Sequence, residues 1–233
     1  MKWKREWFLF YFFTVALVLL CTHWGSRAVS VIAEKIPPER KQRIIIDAGH
    51  GGVDGGATSC TGILESAYNL EIALRLNDLF QLLGYDTRMI RTSDISVYTK
   101  GETIAQKKMS DLKERVRVTN ETENAILISI HQNIFSDSRY SGAQVFYAPT
   151  EGSQELAQQM QSRLIQTLNP GSKRQCKKGE GIYLLEHISQ PGILIECGFL
   201  SNLREEAALR DPDYQKKLCC VIVTGLGSYL SNT

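Results

Sequence analysis

The sequence predicts an α/β fold, a single domain built on a twisted, mostly parallel open sheet that is flanked by helices and preceded by an N-terminal hydrophobic segment. Short β-branched runs alternate with helical patterns along most of the 233-residue chain. The strongest run, residues 125–131 (AILISIH), is continuously apolar, which is typical of a strand covered on both faces. Repeated βα order favours parallel strands, because each parallel connection needs a crossover.

The N-terminal region, residues 1–28, is predicted to be a signal peptide or a membrane anchor. Three basic residues precede an uncharged run over residues 7–21, and this order is typical of export segments. The run is shorter than a full span of about 20 residues, which favours a signal peptide. Its many aromatic residues favour an uncleaved anchor, so both alternatives stay open. Either one places the domain outside the cytosol.

A linker is predicted for residues 29–42, which contain Pro37, Pro38 and several charges. The globular domain is predicted to cover residues 43–233. Its first half predicts strands at 43–47, 85–90 and 125–131 and helices at 65–83 and 112–122. Ala73, Leu76 and Phe80 share one face of the first helix, and Gly84 ends it.

The second half repeats this pattern. Strands are predicted around Val145 and Tyr147 and at 193–198, and a helix is predicted at 153–168. The last helix begins at Asp211-Pro212, because Asp is a good N-cap and Pro is favoured at the first helical position.

Charge and cysteine content exclude two classes of function. The net charge is only +2, and basic and acidic residues are interleaved, so no nucleic-acid surface is expected. The six cysteines contain no CxxC pair and predict no cysteine zinc site. We expect Cys197, Cys219 and Cys220 to be small buried residues, and a disulfide between Cys60 and Cys176 stays open.

Potential catalytic side chains follow three predicted strands. His50 lies just after the first strand, His131 ends the strand at 125–131, and Glu196 lies near the end of the strand at 193–198. The carboxyl ends of strands in open α/β sheets are where ligands bind, and Glu65, at the start of the first helix, can reach the same edge. Two imidazoles and a carboxylate form a catalytic zinc site, and a second carboxylate can serve as a base.

Each of these residues also has a structural alternative. His50 can be a turn residue, His131 a buried core histidine, and Glu65 an acid that the helix dipole favours. Glu196 is harder to explain in this way, because a carboxylate inside an apolar strand is costly to bury without a partner or a metal. His23 lies in the export segment, and His187 is expected on a surface loop, so neither is predicted as a ligand.

At these residues the chain resembles a known family, the zinc-dependent N-acetylmuramoyl-L-alanine amidases called Amidase_3. The resemblance extends from Arg43 to about Tyr229 and rests on five blocks in the family's order. The blocks are DAGHGG at residues 47–52 with Asp54 and Gly55, Glu65 with Asn69-Leu70, RTSD at 91–94, SIHQN at 129–133 and ECGFLSN at 196–202. Ala48 and Gln132 depart from the family's usual Pro and Ala.

The resemblance implies a role for each residue. His50, Glu65 and His131 would bind Zn²⁺, and Glu196 would be the catalytic glutamate of an amidase that cleaves the bond between the lactyl group of N-acetylmuramic acid and L-alanine in peptidoglycan. We expect Asp47 either to orient an imidazole or to be a turn acid at the strand end. Arg91 and Asp94 are expected to form a structural ion pair.

Two stretches, SGAQ at 141–144 and GIYL at 181–184, are similar to the spore-cortex members of that family, and so is a single catalytic domain without wall-binding repeats. This similarity implies the first step towards muramic δ-lactam, with a muramic-acid deacetylase as pathway partner and an accessory lipoprotein as for some relatives. Three alternatives remain at this stage: a catalytically silent peptidoglycan-binding or scaffold protein, a vegetative cell-wall amidase, and a zinc peptidase that acts on another peptide.

Overall fold

A computed structural model describes residues 42–231 of the chain. Within this range, strands and helices alternate as the sequence predicts. The elements are β1 (Arg43–Ala48), α1 (Glu65–Leu82), β2 (Asp86–Met89), α2 (Ile104–Asn120), β3 (Ala125–Asn133), β4 (Gln144–Tyr147), α3 (Ser153–Thr167), β5 (Lys177–Lys178), α4 (Tyr183–His187), β6 (Gly192–Phe199), α5 (Leu203–Arg210) and α6 (Pro212–Leu230).

The six strands form one sheet in the order β2-β1-β3-β6-β4-β5, and only the β4–β6 pairing is antiparallel. The predicted α/β class with a mostly parallel sheet is therefore confirmed. The chain leaves β1 towards β2 on one side and returns with β3 on the other side. The carboxyl ends of β1 and β3 thus flank a topological switch point, where open sheets of this type bind ligands.

The two faces of the sheet are covered differently. The apolar face carries Ile44, Ile46, Ile128 and Ile195 and packs under α1, α3 and α6 in one large buried cluster. The opposite face, here called the site face, carries a smaller apolar cluster that includes Ile45, Leu127 and Leu194 under α2 and α4. Strand alternation places Asp47, Ser129, His131 and Glu196 on the site face, farther towards the carboxyl edge.

The main discrepancy is α2, which begins at Ile104 and not at residue 112 as predicted. Thr103 and Gln106 form a capping box: the Thr103 hydroxyl accepts from the Gln106 N–H, and the Gln106 side chain accepts from the Thr103 N–H. The first two turns are largely exposed, so they show no apolar periodicity. Periodicity also missed three short elements, α4, α5 and β5. The predicted Asp211 cap of α6 is confirmed, since its carboxylate accepts from the Asp213 N–H.

The predicted export segment, residues 1–28, and the linker up to residue 41 lie outside the described residues. None of the helices within residues 42–231 is both long enough and apolar enough to cross a membrane. The described cysteines are free thiols, Cys60 and Cys176 included. Cys197 and Cys219 are buried as expected, but the expectation for Cys220 was wrong, because this residue lies on the exposed side of α6.

Candidate metal centre

The glycine-rich turn after β1 brings three side chains together. His50 adopts a left-handed backbone conformation, with φ of 60°, which turns the chain sharply at the sheet edge. A Cβ on Gly49 would collide with the His131 ring, and one on Gly56 would lie 2.6 Å from Glu65 Oε2. These glycines are therefore required because the neighbouring side chains converge in the space that a Cβ would fill.

His50, Glu65 and His131 form a group that can hold a metal ion, with ligand atoms that all lie within 4.8 Å of one another. Glu65 Oε1 is 3.0 Å from His131 Nδ1, and Glu65 Oε2 is 3.3 Å from His50 Nε2. The two imidazole rings meet edge to face, 4.9 Å apart between centroids. Ligands bound about 2.1 Å from a tetrahedral zinc ion lie roughly 3.4 Å apart, so this donor set suits such an ion.

The Glu65 carboxylate is fixed by protein donors as well as by the histidines. The N–H groups of Ala57 and Gln132 and the Asn69 amide donate to it at 3.0, 3.1 and 3.2 Å. Burial alone would raise the pKa of Glu65, but hydrogen bonds and charge from His131 and His50 outweigh it and hold the pKa well below its usual range. Glu65 is therefore ionised, as a metal ligand must be.

Asp54 orients the first histidine. Its Oδ2 lies 2.9 Å from His50 Nδ1, which leaves Nε2 directed at Glu65. Burial acts to lower the pKa of His50, but Glu65 and Asp54 together raise it above its ordinary value. A carboxylate on the far nitrogen of a ligating histidine is the usual arrangement in metal sites, where it fixes the tautomer and the ring orientation.

Asp47, which the sequence suggested for that orienting role, has different partners. It is fully buried, and its carboxylate accepts hydrogen bonds from Arg115 and from the Ser129 hydroxyl. Burial raises the pKa of Asp47, but the Arg115 charge and the Ser129 hydrogen bond lower it by more than this, so the pKa lies below its ordinary value. Asp47 therefore anchors an arginine rather than an imidazole.

Arg115 connects α2 to the turn that carries His50. Besides Asp47, its guanidinium donates to Asp111 at 2.6 Å and to the carbonyls of Ala48 and His50 at 2.9 and 2.7 Å. Burial lowers the pKa of Arg115, but the two acids more than offset this effect. No sequence motif marks Arg115, although its spacing from Asp111 fits an i,i+4 pair on one helix.

Arg91 supports the same turn from the other side. Its guanidinium donates to the carbonyls of Ala48, Gly49, Ser66 and Ser93 at 2.8–3.0 Å. Among the described residues all hydrogen bonds of the Arg91 guanidinium go to these carbonyls and none to Asp94, so the expected ion pair was wrong; Asp94 accepts from the Gly52 N–H instead. Arg91 is thus structural, but it acts through main-chain carbonyls.

Glu196 lies next to the metal-binding group. It pairs in register with His131 across β3 and β6, which places both side chains on the site face. Its Oε2 is buried without a hydrogen-bond partner within residues 42–231. Burial raises its pKa to about 7, with a further upward contribution from the Glu65 charge, although the histidines oppose it. A carboxyl group with a free oxygen and such a pKa is suited to exchange protons near neutral pH.

The structure therefore brings together His50, Glu65, His131 and Glu196 and leaves His187 apart, exposed at the end of α4 rather than on a loop. Two histidines and one carboxylate, with an unpartnered acid beside them, are the donor set of a catalytic metal site. This arrangement, at the switch point of an open α/β sheet, is that of a hydrolase with a candidate metal site.

Comparison with known proteins gives the particular family. The model of the N-acetylmuramoyl-L-alanine amidase family called Amidase_3 matches residues 44–228. The germination-specific N-acetylmuramoyl-L-alanine amidase of Bacillus subtilis (strain 168) is 35% identical over 99% of this chain and 97% of its own length. The chain belongs to the N-acetylmuramoyl-L-alanine amidase family and is an amidohydrolase.

Two solved structures agree with this assignment. The CwlD amidase from Clostridioides difficile, solved in complex with the GerS lipoprotein, is 37% identical and superimposes with a TM-score of 0.79 over 82% of this chain and all of that one. An N-acetylmuramoyl-L-alanine amidase from Clostridium difficile 630 is 32% identical, with a TM-score of 0.71 over 82% of this chain and 98% of that one.

Proposed function

We propose that His50, Glu65 and His131 bind one Zn²⁺ ion and that Glu196 is the catalytic acid-base group. The observation that carries this proposal is the convergence of three ligand atoms beside a buried, unpartnered carboxyl oxygen. A bound zinc ion would supply a Lewis acid for the amide carbonyl and would lower the pKa of water. Two imidazoles and a carboxylate suit zinc better than the hard cations, which prefer oxygen ligands.

Glu196 performs the proton transfers of the reaction. It removes a proton from the water that attacks the lactyl carbonyl carbon of N-acetylmuramic acid. As the C–N bond breaks, the same carboxyl group gives this proton to the nitrogen of L-alanine. The products are a free lactyl carboxylate and a peptide with a new amino terminus. Such transfers contribute roughly 10² to 10⁴-fold in rate.

The test is mass spectrometry of peptidoglycan digested by the full chain. Cleavage at the proposed bond releases peptides that begin with L-alanine and leaves intact glycan. Cleavage within the peptide would indicate a zinc peptidase, and the absence of products from zinc-loaded protein would indicate a silent binding or scaffold protein. The matched control is Glu196→Gln, which should release peptide roughly 10² to 10⁴-fold more slowly.

We further propose that the peptidoglycan concerned is spore cortex. This role is supported by the 35% identity to the germination-specific amidase over 99% of this chain and 97% of that one. Removal of the peptide leaves a muramic acid that a deacetylase then converts to muramic δ-lactam. Spores of a null mutant should therefore lack muramic δ-lactam and fail to complete germination. A normal lactam content would instead favour a vegetative cell-wall amidase.

An extracytoplasmic location follows from a cell-wall substrate, and we propose that residues 1–28 provide export or anchoring. Fractionation of cells that express the full chain, or a chain without residues 1–28, tests this role: only the full chain should cross the membrane. An accessory lipoprotein is a further proposed partner, since the relative from Clostridioides difficile was solved with one. Assays of the purified chain with and without such a lipoprotein test that partnership.

A further inference from the structure

Two loops leave the carboxyl edge of the sheet beside the metal-binding group and carry an exposed aromatic pair. Residues 134–143 follow β3, and residues 200–202 follow β6. Phe135 and Tyr140 pack against each other with ring centroids 4.6 Å apart. Phe135 is only four residues beyond His131, so its Cα lies within about 14 Å of the ligand's Cα even in a fully extended chain.

The apolar side chains of this loop remain open to solvent although hydrogen bonds fix the loop. Ile134, Phe135 and Tyr140 are 49%, 47% and 48% exposed. Their loop is fixed to the β6–α5 connection: the Phe135 N–H donates to Ser201 Oγ at 3.2 Å, and the Asn202 amide donates to the carbonyls of Ser138 and Tyr140 at 2.9 and 3.3 Å. Exposed apolar surface on such a prearranged scaffold marks a binding surface.

The chemistry of the aromatic pair favours a sugar as its occupant. Aromatic rings have a negatively charged face, and pyranose rings present C–H groups of opposite polarity along one side. Asp137 and Arg139 lie in the same loop, paired at 2.7 Å, and their partly exposed groups offer an acceptor and donors for sugar hydroxyls. Muramic acid, whose lactyl amide must reach the metal-binding group, is linked to further sugars on either side.

The size of the surface argues against a protein partner. An aromatic side chain that becomes fully buried covers about 150–250 Å². Phe135 and Tyr140 are about half exposed, so the pair offers less than this for each ring, whereas a stable protein interface needs about 800 Å² from each partner. One or two sugar rings match the smaller area. We propose that Phe135 and Tyr140 form a glycan subsite that stacks on an N-acetylhexosamine next to the reacting muramic acid. The assignment rests on the proposed function, since it takes a peptidoglycan glycan strand as the substrate.

Two measurements test the subsite. First, binding of the peptide-free N-acetylglucosamine tetramer to the zinc-loaded Glu196→Gln chain should weaken about tenfold when Phe135→Ala or Tyr140→Ala is added, as for other buried aromatic contacts. Second, the ratio of kcat/KM for glycan strands to that for a single muramoyl peptide should fall about tenfold in the same variants. The tetramer experiment does not depend on cleavage. It therefore tests the subsite even where the proposed amidase reaction fails, and the two failures can be told apart.

Controls separate stacking from folding. Phe135→Tyr and Tyr140→Phe keep a ring and should retain tetramer binding, whereas Phe135→Leu keeps apolar volume and should lose it. Leu82→Ala, at an 82% exposed position on α1, should leave both measurements unchanged. Equal tetramer binding and an equal rate ratio in wild type and the alanine variants would overturn the proposal. So would loss of lipoprotein-dependent activation with sugar binding intact, because the surface would then belong to a protein partner.

Discussion

Across the sheet, α1, α3 and α6 bury the apolar face with interdigitated aliphatic side chains, whereas the site face exchanges part of that packing for buried charge. Leu76 on α1 packs within the apolar cluster. Arg115 on α2 has two carboxylates and two carbonyls as partners. The difference shows how one sheet can combine a stable core with a rigid metal centre. Hydrophobic burial is non-directional, while hydrogen bonds to fixed carbonyls specify the path of the turn that carries His50.

The largest effect is expected at the metal centre itself. His131→Ala removes a ligand, so both zinc and activity should be lost. Glu196→Gln removes only the acid-base group, so zinc should remain near one per chain while turnover falls roughly 10² to 10⁴-fold. Metal analysis alongside amide cleavage measures both. An empty site in Glu196→Gln would contradict the division between ligands and acid-base group.

Arg115→Met should have the next largest effect, because it leaves Asp47 and Asp111 buried without their cation. Breaking a buried pair in this way costs about 3–5 kcal/mol of stability. Zinc affinity should fall as well, since the His50 carbonyl loses its donor. Denaturant unfolding and zinc titration provide the two values. Arg115→Lys keeps the charge but loses the fork of donors, so it should recover only part of the lost stability and only part of the lost zinc affinity.

The exposed Arg163 gives a matched control, because its one side-chain hydrogen bond among the described residues goes to the hydroxyl of the partly buried Ser228. Arg163→Met should leave zinc affinity unaltered. If Arg115→Met bound zinc as tightly as Arg163→Met does, the connection from α2 to the His50 turn would have no functional role.

Leu76→Ala probes the apolar face. Leu76 is fully buried, and truncation of such a residue costs about 2–5 kcal/mol through lost burial and the cavity left behind. The folded fraction should nevertheless bind zinc with wild-type affinity, because Leu76 lies about three turns from Glu65 along α1 and the Ala57 and Gln132 N–H groups hold the Glu65 carboxylate. Weakened zinc binding in fully folded Leu76→Ala protein would mean that the two faces are coupled.

The same comparison explains how far sequence could predict this structure. On the apolar face, helical and strand periodicity located α1, α3, α6 and the central strands, because burial alone selects those residues. The order of strands also placed His50, Glu65, His131 and Glu196 at one edge. On the site face, the roles of Asp54 and Arg115 escaped prediction. Asp54 lies only four residues from His50, but in an irregular glycine-rich turn where no periodic pattern pairs the two side chains. Arg115 reaches Asp47, which is distant in sequence, and main-chain carbonyls, which leave no side-chain pattern.

The beginning of α2 is the site-face element that periodicity misplaced, and its cap gives the smallest expected effect. Thr103→Ala removes the hydroxyl that accepts from the Gln106 N–H, and loss of such a cap costs about 1 kcal/mol. Thr224→Ala, in the interior of α6, is the matched control. It should leave stability equal or slightly higher, because Ala has the better helix propensity. Urea unfolding of both variants measures the difference.

Lys108, which contacts Asp54 from the early turns of α2, should stay in place in Thr103→Ala, because the hydrogen bonds of Arg115 and Asp111 hold the following turns. Thr103→Ala should therefore keep its zinc affinity, and a loss of affinity would show that the first turns of α2 also support the metal centre.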